Sequence, residues 1–132
     1  MKQIFNRYIL APIGFTGCVF ILSSIPMDGG PDNIAFLTNL DPGLQNILHI
    51  PLYGILAFLW IQFLHRIHQP LPRAMLFGLV ITVLYGGLDE IHQTFVPGRY
   101  GGLLDILLNT AGALIGAASY RFRHLLSCNL LR

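Results

Sequence analysis

Uncharged stretches limit this chain's fold before any motif does. Residues 8–27 contain no Asp, Glu, Lys or Arg. A helix rises about 1.5 Å per residue, so roughly 20 residues cross the hydrocarbon core of a bilayer. A second uncharged run covers residues 42–64, where His49 and Pro51 place the helix start near Asn46 or Ile47, with Pro51 in its first turn. Residues 74–88 and 106–120 are also free of charge but shorter. As helices each covers only about 22 Å. A full crossing therefore draws Asp89 and Glu90 into the third span and Asp105 into the fourth. The expected fold is an all-α membrane protein, a four-transmembrane-helix bundle with approximate spans 8–27, 46–64, 74–93 and 103–120 in a single domain, 1–132.

The composition points the same way. Of 132 residues, 54% are hydrophobic and 11% charged, whereas soluble domains carry about a quarter charged residues. So few charges cannot clothe so small a body in a polar surface, which argues against an ordinary soluble enzyme. The eight Lys and Arg are scattered, so no basic strip exists to neutralise a nucleic-acid backbone, and no nucleic acid is expected as partner. Pro70 and Pro72 restrict one connection, and Pro97-Gly98 with Gly101-Gly102 punctuate another. Such short turns favour up-and-down neighbours. Lys2 and Arg7 ahead of an apolar run are leader-like, but no small-residue cleavage site follows. Cys18 reads as a buried apolar cysteine, and nothing beyond the even count pairs it with Cys128.

Charge asymmetry gives an orientation. With both termini in the cytoplasm, Lys2, Arg7, Arg66, Arg73, Arg121, Arg123 and Arg132 lie inside and Arg99 alone lies outside. This N-in/C-in arrangement obeys the positive-inside rule and requires an even number of crossings. Asp28, Asp32 and Asp41 then sit outside but weigh little, because acids contribute little to orientation. His65, His68 and His124 read as solvent residues of the cytoplasmic face.

The densest chemistry lies at the outer end of the third span, from Asp89, Glu90, His92 and Gln93 through Pro97-Gly98 to Arg99. On a continuing helix Asp89 shares a face with Tyr85, His92 and Gln93, and Glu90 lies near Gln93. Acids are costly in lipid, so at least one should face a wet cavity or polar partners. The Pro-Gly turn can return Arg99 toward them. In the fourth span Asp105, Asn109, Gly112 and Gly116 recur at helical spacing, the two glycines permitting close contact. In the second, His49, Tyr53, Leu56 and Trp60 form another face. Three helix ends can therefore converge on one polar site.

These residues also carry a resemblance. The run Asp89-Glu90-Ile91-His92-Gln93 through Pro97-Gly98-Arg99, followed by Asp105, Asn109 and Gly112, resembles the central signature of the VanZ-like membrane-protein family. His49 and Tyr53 are similar to its upstream helical motif, and Leu22-Ser23-Ser24 with Pro26 to the polar end of its first hydrophobic segment. Gly101-Gly102 departs from the small polar residues expected there. The resemblance implies a small bacterial integral membrane protein of the cytoplasmic membrane, acting on or sensing the cell envelope. The family's name comes from an association with resistance to the glycopeptide teicoplanin.

Two functions follow as expectations. One is an outward-facing site that binds an anionic or polar envelope lipid, an antibiotic or another membrane-proximal small molecule, with Arg99, Asn109, Tyr53 and Gln93 as ligand-binding residues and a contribution to glycopeptide resistance. The alternative is a membrane-embedded lipid hydrolase or transferase. There His92 exchanges protons, Asp89 or Glu90 orients it, Asp105 positions substrate and His49 is a second acid or base. No standard nucleophile motif accompanies them. A divalent metal held by His49, His92 and carboxylates is a further route that the spacing does not specify. A third reading is purely structural, with Arg99 neutralising Asp89, Glu90 or Asp105. The sequence leaves the oligomeric state open.

Overall fold

The computed structural model describes residues 2–27 and 42–129, and the side chains of the first helix from Tyr8 onward. Asp28, Asp32, Asp41 and Arg132 lie outside the described residues, as do the side chains of Lys2 and Arg7. Four helices account for nearly all of the described chain: α1 (Lys2–Ser23), α2 (Pro42–Arg66), α3 (Leu71–Gln93) and α4 (Leu103–Asn129). Among the described residues there is no strand. The last three helices are long and apolar enough to cross a membrane, whereas the apolar part of α1, Tyr8–Ser23, is shorter.

α1 starts ahead of its expected span of 8–27 but ends at Ser23, whereas α2, α3 and α4 each outrun the span expected for them. α2 starts at Pro42, so Pro51 is internal rather than in the first turn. A proline there removes the backbone bond to the carbonyl four residues earlier. The chain leaves α2 through paired bonds, Gln69 N–H to the Leu64 carbonyl and His68 N–H to the His65 carbonyl. His68 itself adopts a left-handed φ of 69°. This is the arrangement that ends many helices with glycine, built here on a histidine. Pro70 then caps α3 and Pro72 lies in its first turn, where a missing N–H costs nothing.

α2 is the central element, packed most extensively on α4 and next on α3, while α1 leans on α2 and touches α3. The α2–α4 seam is a backbone contact. A Cβ on Gly116 would run into the Gly54 carbonyl, and one on Gly112 into the Ile50 carbonyl. Gly78 is likewise closed off by Ile61. Small residues at such crossings let helices approach in lipid, where no hydrophobic gain drives them together.

Burial is inverted relative to a soluble bundle. Asp89, Glu90, Gln93, Asp105 and Asn109 are buried, while Leu10, Ile21, Leu84, Leu88, Phe95 and Leu103 are exposed. This pattern fits an apolar solvent around a polar interior. Apolar packing holds the rest of the bundle, with Val19, Tyr53 and Leu56 in one cluster and Ile61, Ala74, Ala117 and Tyr120 in another. Cys18 is exposed, contrary to its reading as buried, and both cysteines are free. Its position on the outer side of α1 places it among apolar side chains that face away from the bundle.

Candidate functional site

The C-terminal ends of α1 and α3 and the N-terminal parts of α2 and α4 meet at one end of the bundle. Two hydrogen-bond groups lie there. In the first, Glu90 Oε1 accepts a 3.0 Å bond from Asn109 Nδ2, and Asn109 Oδ1 lies 2.8 Å from His49 Nδ1. A carboxylate only accepts, so it fixes which way the Asn109 amide faces. Asn109 Oδ1 therefore receives the proton of His49 Nδ1, which leaves Nε2 as the basic nitrogen of a neutral ring. His49 Nδ1 also lies 3.8 Å from Glu90 Oε1. The outer oxygen, Glu90 Oε2, takes a long 3.4 Å bond from the Gly102 N–H.

The second group is centred on Asp89. Its Oδ2 accepts bonds from the Tyr53 hydroxyl at 2.9 Å and from Gln93 Nε2 at 3.1 Å. Its Oδ1 is buried with no hydrogen-bond partner among the described residues. Gln93 and Asp89 are separated by one helical turn, so the Gln93 amide can reach back along α3. Gly86 makes room for this packing, since a Cβ there would press on Tyr53 and Asn109 at 3.1 and 3.3 Å.

Arg99 does not form an ion pair with the acids. Its Nη2 donates to the Leu22 carbonyl at 2.7 Å, Nε to the Ile25 carbonyl at 3.0 Å, and Nη1 to Gln93 Oε1 at 3.5 Å. The last carbonyls of a helix lack intrahelical donors, and a cation there is favoured by the helix dipole. Arg99 thus caps α1 from outside while touching the Asp89 group through Gln93. Burial pulls its guanidinium below the usual range, and the attraction of Asp89 and then Glu90 opposes this. The expected turn is present: Arg99 N–H bonds the Val96 carbonyl, with Gly98 at φ 74° after Pro97. It delivers Arg99 to α1 rather than to the carboxylates.

His92 also departs from expectation. It turns toward α1, where Nε2 lies 3.0 Å from Ser24 Oγ and the ring stacks on Phe20 at 4.7 Å between centroids. Neither Asp89 nor Glu90 orients it. His49 takes the place beside a carboxylate that the sequence reading gave to His92. Asp105 is buried in the first turn of α4, near the dipole's positive end. Its Oδ2 lies 3.2 Å from where a Gly102 Cβ would be, and its charge acts on Glu90. Gly101-Gly102 is thereby explained, because a Cβ on Gly101 would strike the Glu90 carbonyl. Among the described residues no three His, Cys, Asp or Glu side chains are grouped as metal ligands. His92 contacts Phe20 in α1 and Ser24 just beyond it, while His49 contacts Asn109 and stands near Glu90.

At the opposite end lies a cluster that sequence reasoning missed. His65 Nδ1 lies 3.0 Å from the Tyr120 hydroxyl and its ring stands 5.1 Å from that of His124. His65 is thus a packed bridge between α2 and α4. Its spacing within α2 carries no sign of the partner on α4.

A groove of about 650 Å³ opens beside the site between α3 and α4, lined by Val83, Leu84, Leu88, Leu103 and Ile106, with Glu90, Thr94 and Gly102 toward its polar end. The architecture is that of an all-helical membrane protein with a buried acid-rich polar site at one bundle end. The chain belongs to the VanZ/LLP1 family, whose sequence pattern matches residues 3–126. No curated protein and no solved structure matches it.

Proposed function

We propose that this VanZ-family membrane protein uses the polar bundle end as an outward-facing site that binds a polar envelope lipid or another membrane-proximal small molecule. In this reading four helices cross the bacterial cytoplasmic membrane, both termini lie in the cytoplasm, and glycopeptide resistance is one consequence of envelope binding. The observation that carries it is the way the buried acids are held. Asp89 and Glu90 are met by Tyr53, Gln93, Asn109 and a backbone N–H rather than by Arg99, and Asp89 Oδ1 remains unsatisfied among the described residues. Leaving a buried acceptor without a partner costs about 1–3 kcal/mol. A hydrogen-bond-donating ligand recovers that cost.

This charge balance favours a donor-bearing polar ligand over the anion expected of Arg99. A catalytic reading has one specific support, the tautomer that Asn109 imposes on His49, which leaves Nε2 basic. Untargeted lipid mass spectrometry of protein extracted with its native membrane, run beside product analysis, tests the two. A lipid enriched over bulk membrane with no product supports binding. Turnover that disappears in a folded His49→Ala variant overturns it in favour of catalysis, and the absence of both an enriched molecule and any product overturns both.

A further inference from the structure

We infer that the α3–α4 groove seats one acyl chain of a membrane lipid whose head group presents a primary amine to Glu90. This rests on the binding reading above and names its ligand class. The groove walls are apolar over Val83, Leu84, Leu88, Leu103 and Ile106, and among the described residues Glu90 is the one charged residue that lines it. Among the described residues no Lys, Arg or His lines it. The Glu90 carboxylate is buried, and its Oε2 holds only a long bond to Gly102 N–H while Oε1 is committed to Asn109. An ammonium group offers the Glu90 carboxylate a positive charge and several donors on a compact head. An anionic head group meets the Glu90 carboxylate instead, with Arg99 engaged at the end of α1. The apolar length beyond Glu90 matches a hydrocarbon chain, because Leu84 and Leu88 are exposed along the same flank of α3.

The test uses the full chain in phosphatidylcholine nanodiscs doped with phosphatidylethanolamine carrying a diazirine in one acyl chain, or with phosphatidylglycerol carrying the same chain. After photolysis, labelled peptides are mapped by mass spectrometry. Labelling of the groove peptides is expected to be about tenfold greater from the ethanolamine lipid, the ratio one charge-assisted hydrogen bond confers. Glu90→Gln should reduce it to the phosphatidylglycerol level. Leu84→Trp, which fills the groove from an exposed position, should remove groove labelling by both lipids and leaves the Glu90 bonds untouched. Equal labelling by the two lipids in wild-type protein overturns the inference, as does labelling that survives Leu84→Trp. If a native molecule still copurifies with Leu84→Trp at the wild-type level, the groove assignment falls and the binding function stands. If none copurifies even with wild type, the function falls as well.

Discussion

The Tyr53 hydroxyl donates to Asp89 Oδ2 at 2.9 Å, joining α2 to α3 through a tyrosine and a carboxylate that are both almost fully buried. With Oδ1 already lacking a partner, Asp89 depends on Tyr53 and Gln93 for its hydrogen bonds among the described residues. Tyr53→Phe should destabilise the folded protein by about 1–3 kcal/mol, because it leaves a buried acceptor poorer by one bond. Thermal unfolding in detergent measures this. A double-mutant cycle with Asp89→Asn should show strong coupling, and additive effects would contradict the pairing.

The α2–α4 seam should be intolerant of a single methyl group. Gly116→Ala pushes a Cβ into the Gly54 carbonyl, a backbone atom that cannot swing aside. A loss of about 1–3 kcal/mol is expected from such overpacking. Gly87→Ala, within α3 where nothing lies within 4 Å of the added atom, should instead stabilise by about 0.4–1 kcal/mol through helix propensity. Melting curves of the two variants in the same detergent provide the comparison.

Arg99→Lys keeps the charge but cannot reproduce three bonds from a planar fork. The expected outcome is local. Amides near Leu22 to Met27 should exchange about tenfold faster, while α2 and α4 keep wild-type protection. Hydrogen exchange read by mass spectrometry distinguishes this from global loosening, which would mean that Arg99 supports the acid groups directly.

The two site-end histidines should behave differently. His49→Ala removes a member of the Glu90 group and should weaken retention of the copurifying molecule about tenfold, the equivalent of one hydrogen bond to a charged network. His92→Ala removes a contact to Ser24 and Phe20 and should leave retention near wild type. Native mass spectrometry of both folded variants checks the order, and equal losses would return His92 to the site.

Much of this arrangement is legible from spacing. The stripe of Asp105, Asn109, Gly112 and Gly116 is the buried face of α4, because residues three and four apart share a side of any helix. Tyr53 and Leu56 likewise lie inside α2. Spacing does not say how far a helix is rotated toward each neighbour. Hence His92, although one turn from Asp89, faces α1 instead of the acids. Arg99 eluded the sequence for another reason. Its partners, the carbonyls of Leu22 and Ile25, are main-chain groups at a helix end and carry no side-chain signature. α2 and α3 begin ahead of the expected apolar spans, because a helix tolerates proline in its first turn and can carry polar residues beyond the stretch that lipid requires.

Contact between bare backbones at Gly54, Gly112 and Gly116 gives the bundle an alignment datum. Asn109 stands one turn from Gly112, and His49 is the neighbour of Ile50, whose carbonyl Gly112 meets. A slip of one helix past the other by a single residue's rise, about 1.5 Å, would part the 2.8 Å link between them. The register in which α2 and α4 mesh thus decides whether His49 keeps its amide partner, so the backbone contact of the glycines sets the geometry of the polar site one turn away.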